Sequence, residues 1–197
     1  MSTLPLNIDM RGKTAVIVGG GKVALRKLQA LSAAGVASRL VAPEVCPEIA
    51  ELAAAGSISV RIGRYGAEDL DHAFLVVAAT DDAAVNLSVA TDAMERRLLV
   101  SVVDNPLAGN FTFPAVLRRG ALEIAVSTGG RCPTLATDVR DLIADVIGEE
   151  YGAVLEQLAA EREKLLTDGN HSTYNTQVLR SLAGRLMVEL TERKDTA

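Results

Sequence analysis

The sequence predicts a doubly wound α/β fold on a parallel sheet, and three observations carry that prediction. Short β-branched runs alternate with Ala/Leu-rich helical stretches through the first half of the chain. These runs are apolar at nearly every position, as strands covered on both faces are. The first run also passes directly into a glycine turn and then a helix. In chain order the predicted strands are 14–18, 38–42, 57–62, 74–79 and 98–103, separated by helices at 23–34, 47–55 and 83–97.

After Pro106 the rhythm changes. Pro106, Gly109 and Pro114 punctuate the chain before a strand at 122–127 and a second glycine turn, Thr128-Gly129-Gly130. From Thr134 the apolar residues Leu135, Val139, Leu142, Ile143, Val146, Ile147, Val154, Leu155 and Leu158 recur at helical spacing, with Pro133 suited to the first turn. This predicts one long amphipathic helix, serving either the core or a subunit interface. A polar loop at 168–176, a last helix at 177–190 and a frayed tail at 191–197 complete the prediction.

With 197 residues, 49% hydrophobic and 23% charged, the chain can bury a core and is not of disordered or collagen-like composition. No apolar run approaches the roughly 20 residues of a membrane span. Residues 1–10 lack the basic flank and apolar stretch of a signal peptide, so the expected location is the cytoplasm. Two cysteines, Cys46 and Cys132, do not suggest a disulfide framework there. The net charge of −5, no Lys/Arg cluster longer than two, and 3% aromatics without Trp argue against nucleic acid or an anionic membrane. A small molecule is the expected partner.

The chemistry starts at Val18-Gly19-Gly20-Gly21-Lys22-Val23-Ala24. Gly19 permits the tight turn, Gly21 lets a phosphate approach the backbone, and Ala24 allows close helix–sheet packing, the pattern of a Rossmann dinucleotide site. A pyrophosphate would lie at the positive end of the helix dipole. The acid expected at the end of the second strand is displaced beyond a proline, to Glu44 after Pro43. Glu44 reads equally as a partner of ribose hydroxyls or as solvated surface. The lack of a basic residue at 42–44 favours NAD over NADP, although Arg39 and Arg64 lie near in sequence.

Two further strand ends fall on the edge where open α/β sheets bind ligands. The first is Ala78-Ala79-Thr80-Asp81-Asp82, where Thr80 is a cofactor contact or, with Asp81, a helix N-cap. The second is Val102-Val103-Asp104-Asn105-Pro106, where Asp104 is either a catalytic carboxylate or a turn former. In the later region Arg118, Arg119 and Arg131 stand against Glu123 alone, with Ser127-Thr128-Gly129-Gly130 leading into a helix. That reads as a basic patch for carboxylates, or as arginines paired with Glu149 or Glu150.

These motifs, in this order, resemble the precorrin-2 dehydrogenase/sirohydrochlorin ferrochelatase family, which makes sirohaem. The resemblance runs through Leu4-Pro5-Leu6, the glycine turn with Arg26-Lys27, Ala78–Asp82 with Val85-Asn86, and Val102-Val103-Asp104. It continues in Phe111-Thr112-Phe113-Pro114-Ala115, Arg118-Arg119-Gly120 and Ala125–Pro133, and so covers roughly the first 145 residues. It implies an NAD-binding Rossmann domain at 1–113, a dimerisation region at 114–147 and a helical C-terminal domain at 148–197, acting as a homodimer. It further implies oxidation of precorrin-2 to sirohydrochlorin, with hydride passing to NAD and ring protons lost, and in some members insertion of Fe2+ or Co2+ into the product.

By the same resemblance the catalytic aspartate is Asp104, and Lys22, Val23, Pro43, Glu44 and Thr80 contact the cofactor. A family serine that carries phosphate in some members aligns with Thr128. Cys132 stands where relatives often have Ser, and reads as a buried thiol rather than a metal ligand. Precorrin-2 bears eight carboxylates, so Arg118, Arg119, Ser127, Thr128, Gly129 and Arg131 are the substrate candidates. No helical pair of histidines is present, His72 falling in a predicted surface turn and His171 in the polar loop. The competing class is a nucleotide-sensing Rossmann module without chemistry, for which the region 111–133 has no evident purpose.

Overall fold

The computed structural model describes residues 3–167 and 173–195. Five parallel strands lie in the order β3-β2-β1-β4-β5. They are β1 Thr14–Val18, β2 Ala37–Ala42, β3 Ser59–Ile62, β4 Leu75–Ala78 and β5 Leu99–Val102, joined by helices α1 Lys22–Ala33, α2 Pro47–Ala54 and α3 Ala83–Glu95. The chain winds outward from β1 to β3, then returns to add β4 and β5 on the other side. This is the doubly wound Rossmann order, and its switch point lies between β1 and β4.

Alternation along β1 decides which helix covers which face. Ala15 and Ile17 pack with Ala24, Leu28 and Leu31 of α1 and with Ile49 of α2. Val16 and Val18 point the other way, against Val89, Ala90 and Ala93 of α3. In register, Ile17 stands between Leu40 of β2 and Val77 of β4, so one row of buried side chains crosses the sheet. Each contributes on the order of 1.5–3 kcal/mol by leaving water. On α1 the buried residues Ala24, Leu28 and Leu31 are spaced i, i+4, i+7. The helix ends at Gly35 (φ +69°), where the Val36 N–H donates to the Leu31 carbonyl in a left-handed closure that favours glycine.

The free edge of β5 is closed by a side chain rather than a sixth strand. Asn110 Oδ1 accepts from the Val100 N–H at 2.8 Å, its Nδ2 donates to the Leu98 carbonyl at 2.9 Å, and its own N–H donates to the Val100 carbonyl. Beyond it Phe111 and Phe113 meet edge to face, and Lys27 of α1 sits 4.2 Å over the Phe113 ring. Burial, and then the charge of Arg26, push the Lys27 ammonium below the usual lysine range.

The chain separates into two compact units, Met1–Phe113 and Pro114–Ala197. The second holds both the segment 114–147 and the segment 148–197. It opens with an antiparallel pair, β6 Ala115–Arg119 and β7 Leu122–Val126, around a two-residue loop whose Gly120 has φ +56°. Strand β6 has no counterpart in the sequence prediction. Helices α4 Pro133–Val146, α5 Glu150–Thr167 and α6 Thr173–Asp195 follow.

The single long helix predicted from Thr134 is in fact two. Ile147 turns extended (φ −96°, ψ 92°) and α5 restarts at Glu150. Arg119 holds the break: its guanidinium donates to the Ile147 carbonyl at 2.8 Å, to the Ala144 carbonyl at 3.4 Å and to Glu149 at 2.9 Å, capping α4 with a cation. Buried Gly152 brings α5 onto the hairpin, since a Cβ there would lie 2.7 Å from the Arg119 carbonyl. Of the predicted loop at 168–176, residues 173–176 are helical, and His171 lies outside the described residues. Helix α6 also continues past the predicted end at 190, so residues 191–195 are helix rather than frayed tail.

At the edge strand β3, Asp69 joins a short 3-10 turn (Ala67–Leu70) to the sheet. It accepts from Arg61 of β3, through Nε at 2.6 Å and through the guanidinium end, and from the Gly66 N–H at 2.9 Å. Burial pushes the Asp69 carboxyl up, but the Arg61 and Gly66 hydrogen bonds outweigh it and hold the group below the usual carboxylate range. Its stabilisation is therefore complete above the unfolded value near ~3.9 and lost as pH falls through the lower folded value. Asp69→Asn should cost about 1–2 kcal/mol in urea unfolding at neutral pH. The gap should narrow below about pH 4, and a gap independent of pH would contradict this assignment.

Candidate functional site

Because the strands are parallel, β1, β2, β4 and β5 all deliver their next residues to one edge of the first unit. The glycine turn follows β1, Pro43-Glu44 follows β2, Thr80 comes shortly after β4, and Asp104 shortly after β5. Sequence reasoning placed these residues individually, and the sheet order brings them together.

The three glycines do different work. Gly19 has φ +129°, donates its N–H to the Val41 carbonyl at 2.9 Å, and would place a Cβ 2.3 Å from the Ala79 carbonyl oxygen. Gly20 accepts from the Cys46 N–H at 2.8 Å, and a Cβ on it would fall 1.9 Å from the Glu44 carbonyl oxygen. These two glycines draw the turn against the ends of β4 and β2. Gly20 was not singled out from the sequence, though the third consecutive glycine was the available signal.

Gly21 faces open space, since a Cβ there would meet nothing within 4 Å. It is the N-cap of α1 but has no side chain to cap with, and the first turn carries no acidic residue. The N–H groups at the start of a helix lack intrahelical partners, so those of Lys22 and Val23 are presented to this open space at the positive end of the dipole. Ala24, fully buried, lets α1 approach the sheet. The turn therefore fits an anionic group against its backbone, as a dinucleotide pyrophosphate requires. Pro43 and Glu44 are exposed beside it, with the Glu44 backbone fixed by Gly20 and its side chain in solvent.

On the other side of the switch point, Thr80 and Asp104 meet through a residue the sequence reading did not assign. Asn86 of α3, 1% exposed, accepts at Oδ1 from the Thr80 N–H (3.0 Å) and the Thr80 hydroxyl (2.7 Å). Its Nδ2 donates to the Thr80 carbonyl and to Asp104 Oδ1, each at 3.0 Å. The signal was available: Asn86 shares the spacing of buried Ala90 and Ala93, a polar residue in the apolar stripe of α3. Helix α3 is capped by neither Thr80 nor Asp81. Asp82 does this, accepting from the N–H groups of Ala84 and Val85. Asp104 itself is solvent-exposed.

The substrate candidates belong to the second unit, and the hairpin divides them. Arg118 lies directly opposite Glu123 in the β6–β7 register and pairs with it at 2.7 Å. Arg119 is committed to the end of α4. Ser127 begins only at the far end of β7, four residues from Glu123, roughly 14 Å along the strand. The expected single basic patch is therefore two separate places. At the second, the turn closes on itself: Thr128 Oγ1 accepts from the Cys132 N–H at 3.1 Å and donates to its carbonyl at 3.0 Å, and Ser127 Oγ accepts from the Gly129 N–H at 3.2 Å. The Arg131 guanidinium has no ion pair among the described residues. Cys132, expected to be buried, is exposed, because it stands outside α4 as its N-cap residue. His72, at φ 60°, lies in an exposed turn.

Among the described residues no group of three or more His, Cys, Asp or Glu is placed to hold a metal ion, and no helix is long and apolar enough to cross a membrane.

The family model described as "Putative NAD(P)-binding" matches residues 6–115. A siroheme synthase from Chromobacterium violaceum is 44% identical over 152 residues, 77% of this chain and 32% of that protein. One from Pseudomonas entomophila is 42% identical over 165 residues, 84% of this chain and 36% of that protein. The chain thus spans about a third of the length of these curated relatives. A solved structure described as "SirC, precorrin-2 dehydrogenase" superposes with a TM-score of 0.71 at 28% identity, covering 94% of this chain and 99% of that one. By fold, glycine turn and sequence, the chain belongs to the NAD(P)-binding family whose model it matches, and it is similar to siroheme synthases and to a precorrin-2 dehydrogenase.

Proposed function

We propose that this protein oxidises precorrin-2 to sirohydrochlorin with NAD as the hydride acceptor, the dehydrogenase step of sirohaem synthesis. The observation that carries the reading is that Asp104 and the uncapped, open glycine turn lie on the same sheet edge, in a chain that covers nearly the whole of a solved precorrin-2 dehydrogenase.

In this reading the backbone N–H groups of Lys22 and Val23 hold the pyrophosphate, with Gly21 giving it access. Glu44 faces the adenosine ribose, and the absence of a basic residue at 42–44 supports NAD over its 2′-phosphorylated form. Thr80 lines the path toward the nicotinamide. When bound, NAD accepts a hydride from the tetrapyrrole. Conversion to the more oxidised ring also releases a proton, and in this reading the Asp104 carboxylate, exposed to solvent, accepts it or holds the pyrrole N–H groups. Arg131 and the Ser127–Gly129 turn are proposed to bind substrate carboxylates. Arg118 contributes only by exchanging Glu123 for substrate, and Arg119 is occupied by α4.

A second copy of the chain is proposed to cover Leu135 and Leu142, exposed two turns apart on α4. Ferrous or cobaltous ion, where it is inserted, would enter as a substrate of the same site, with Asp104 the available carboxylate. The expected setting is the cytoplasm.

Three outcomes test the reading. In anaerobic assays Asp104→Ala should lower turnover of precorrin-2 about 10²- to 10⁴-fold while NAD affinity stays within about twofold; near wild-type turnover removes Asp104 from the chemistry. Gly21→Val should fold normally, because its φ of −89° suits any residue and its Cβ meets open space, yet weaken NAD binding by about tenfold or more in calorimetry. Unchanged affinity would move the pyrophosphate elsewhere. Leu142→Asp should convert a dimer into a monomer in light scattering, and an unaltered dimer would place the interface off α4.

A further inference from the structure

Asp104 sits on an exposed loop just past β5, where a carboxylate on two rotatable bonds samples many orientations. A reacting group needs one. From its hydrogen bonds we infer that Asn86 is the positioning residue for Asp104, fixing which carboxylate oxygen faces substrate and tying that orientation to Thr80. This inference rests on the dehydrogenase reading above and deepens it.

The orientation of the Asn86 amide is determined by its partners. Its oxygen faces two donors, the Thr80 N–H and hydroxyl, so its nitrogen must face two acceptors, the Thr80 carbonyl and Asp104 Oδ1. A flipped amide would set nitrogen against an N–H and oxygen against a carbonyl and a carboxylate. The Thr80 hydroxyl has one proton, and the 2.7 Å contact to Asn86 Oδ1 is shorter than its 3.0 Å alternative to the Asp82 carbonyl. That alternative side is served instead by the Asp82 N–H, which donates to the hydroxyl at 3.2 Å. Both oxygen lone pairs and both nitrogen protons of Asn86 are therefore assigned, inside a site 1% exposed.

Asp104 is the carboxylate of this network, and it keeps acceptor capacity to spare. Oδ1 accepts the Asn86 proton, and Oδ2 has no hydrogen-bond partner among the described residues. The free oxygen is the one available to a substrate N–H or to a proton leaving the ring. Since Asn86 is anchored on α3 and at the end of β4, three elements determine where that oxygen points, although only one carries it. A misplacement of about 1 Å in a reacting group costs on the order of 10²-fold in rate, which is the scale on which such an anchor matters.

The test combines kinetics with a measurement independent of turnover. In the Asn86→Ala variant, kcat should fall roughly 10- to 100-fold with NAD Kd raised less than about threefold. In the ligand-free protein, Asp104→Ala should move the Asn86 side-chain amide proton that faces it upfield in NMR, leaving the proton bonded to Thr80 in place. This second measurement alters only an exposed residue and stands even if Asn86→Ala does not fold. A kcat within about twofold of wild type, an NAD affinity that falls as far as kcat, or an amide unmoved by Asp104→Ala overturns the inference while leaving the dehydrogenase reading intact. Wild-type protein that binds NAD but does not turn over precorrin-2 overturns that reading, and the inference with it.

Discussion

Two backbone approaches too close for any side chain hold the functional edge of this protein together. A Cβ on Gly19 would enter the Ala79 carbonyl, and one on Gly20 would enter the Glu44 carbonyl. The turn after β1 is thereby pinned to the segments that follow β4 and β2, on both sides of the switch point. Everything proposed for the site depends on that pinning. It aims the start of α1 into open space, leaves its first N–H groups uncapped, and brings the end of β4 alongside, where Thr80 begins the hydrogen-bonded path to Asp104. The row of Leu40, Ile17 and Val77 behind the turn supplies the rigid support, because burial on both faces leaves these strands little freedom to shift register.

Stability and access are divided between neighbouring residues throughout. Asp82 caps α3, freeing Thr80 to bond Asn86; Asn110 closes the edge of β5, freeing the chain beyond it to bring Phe111 and Phe113 back over the first unit. In the second unit Arg119 is engaged at the end of α4 and Arg131 has no ion pair among the described residues, although both read as candidate carboxylate binders in sequence. Charge count alone does not separate them. What separates them is that the chain breaks between α4 and α5 and leaves helix-terminal carbonyls that need a cation.

Most of the first unit was legible because its signals are local. An apolar strand, a glycine turn and a helix announce themselves within ten residues at Ala15–Ala24, and four more apolar strand runs follow. The readings that failed depend on partners far along the chain. Strand β6 hides behind Pro114 and the Arg118-Arg119 pair, which resemble loop until Glu123 is found opposite. The α4–α5 break hides because Ile147 and Val154 keep helical spacing while Gly148 lies between them. Cys132 looks like a small buried hydrophobe until the cap of α4 leaves it in solvent. Asn86 shows only as a polar residue on an apolar face, and its partners lie 6 and 18 residues away.

The central claim is that one sheet edge both holds the dinucleotide and oxidises the tetrapyrrole. It is tested most directly by mixing the purified protein anaerobically with precorrin-2 and NAD and following NADH and sirohydrochlorin absorbance together. The account predicts that both appear at the same rate and in equal amounts. NAD bound without formation of either product would contradict it, and would leave a nucleotide-binding Rossmann unit whose Asp104 serves the turn alone.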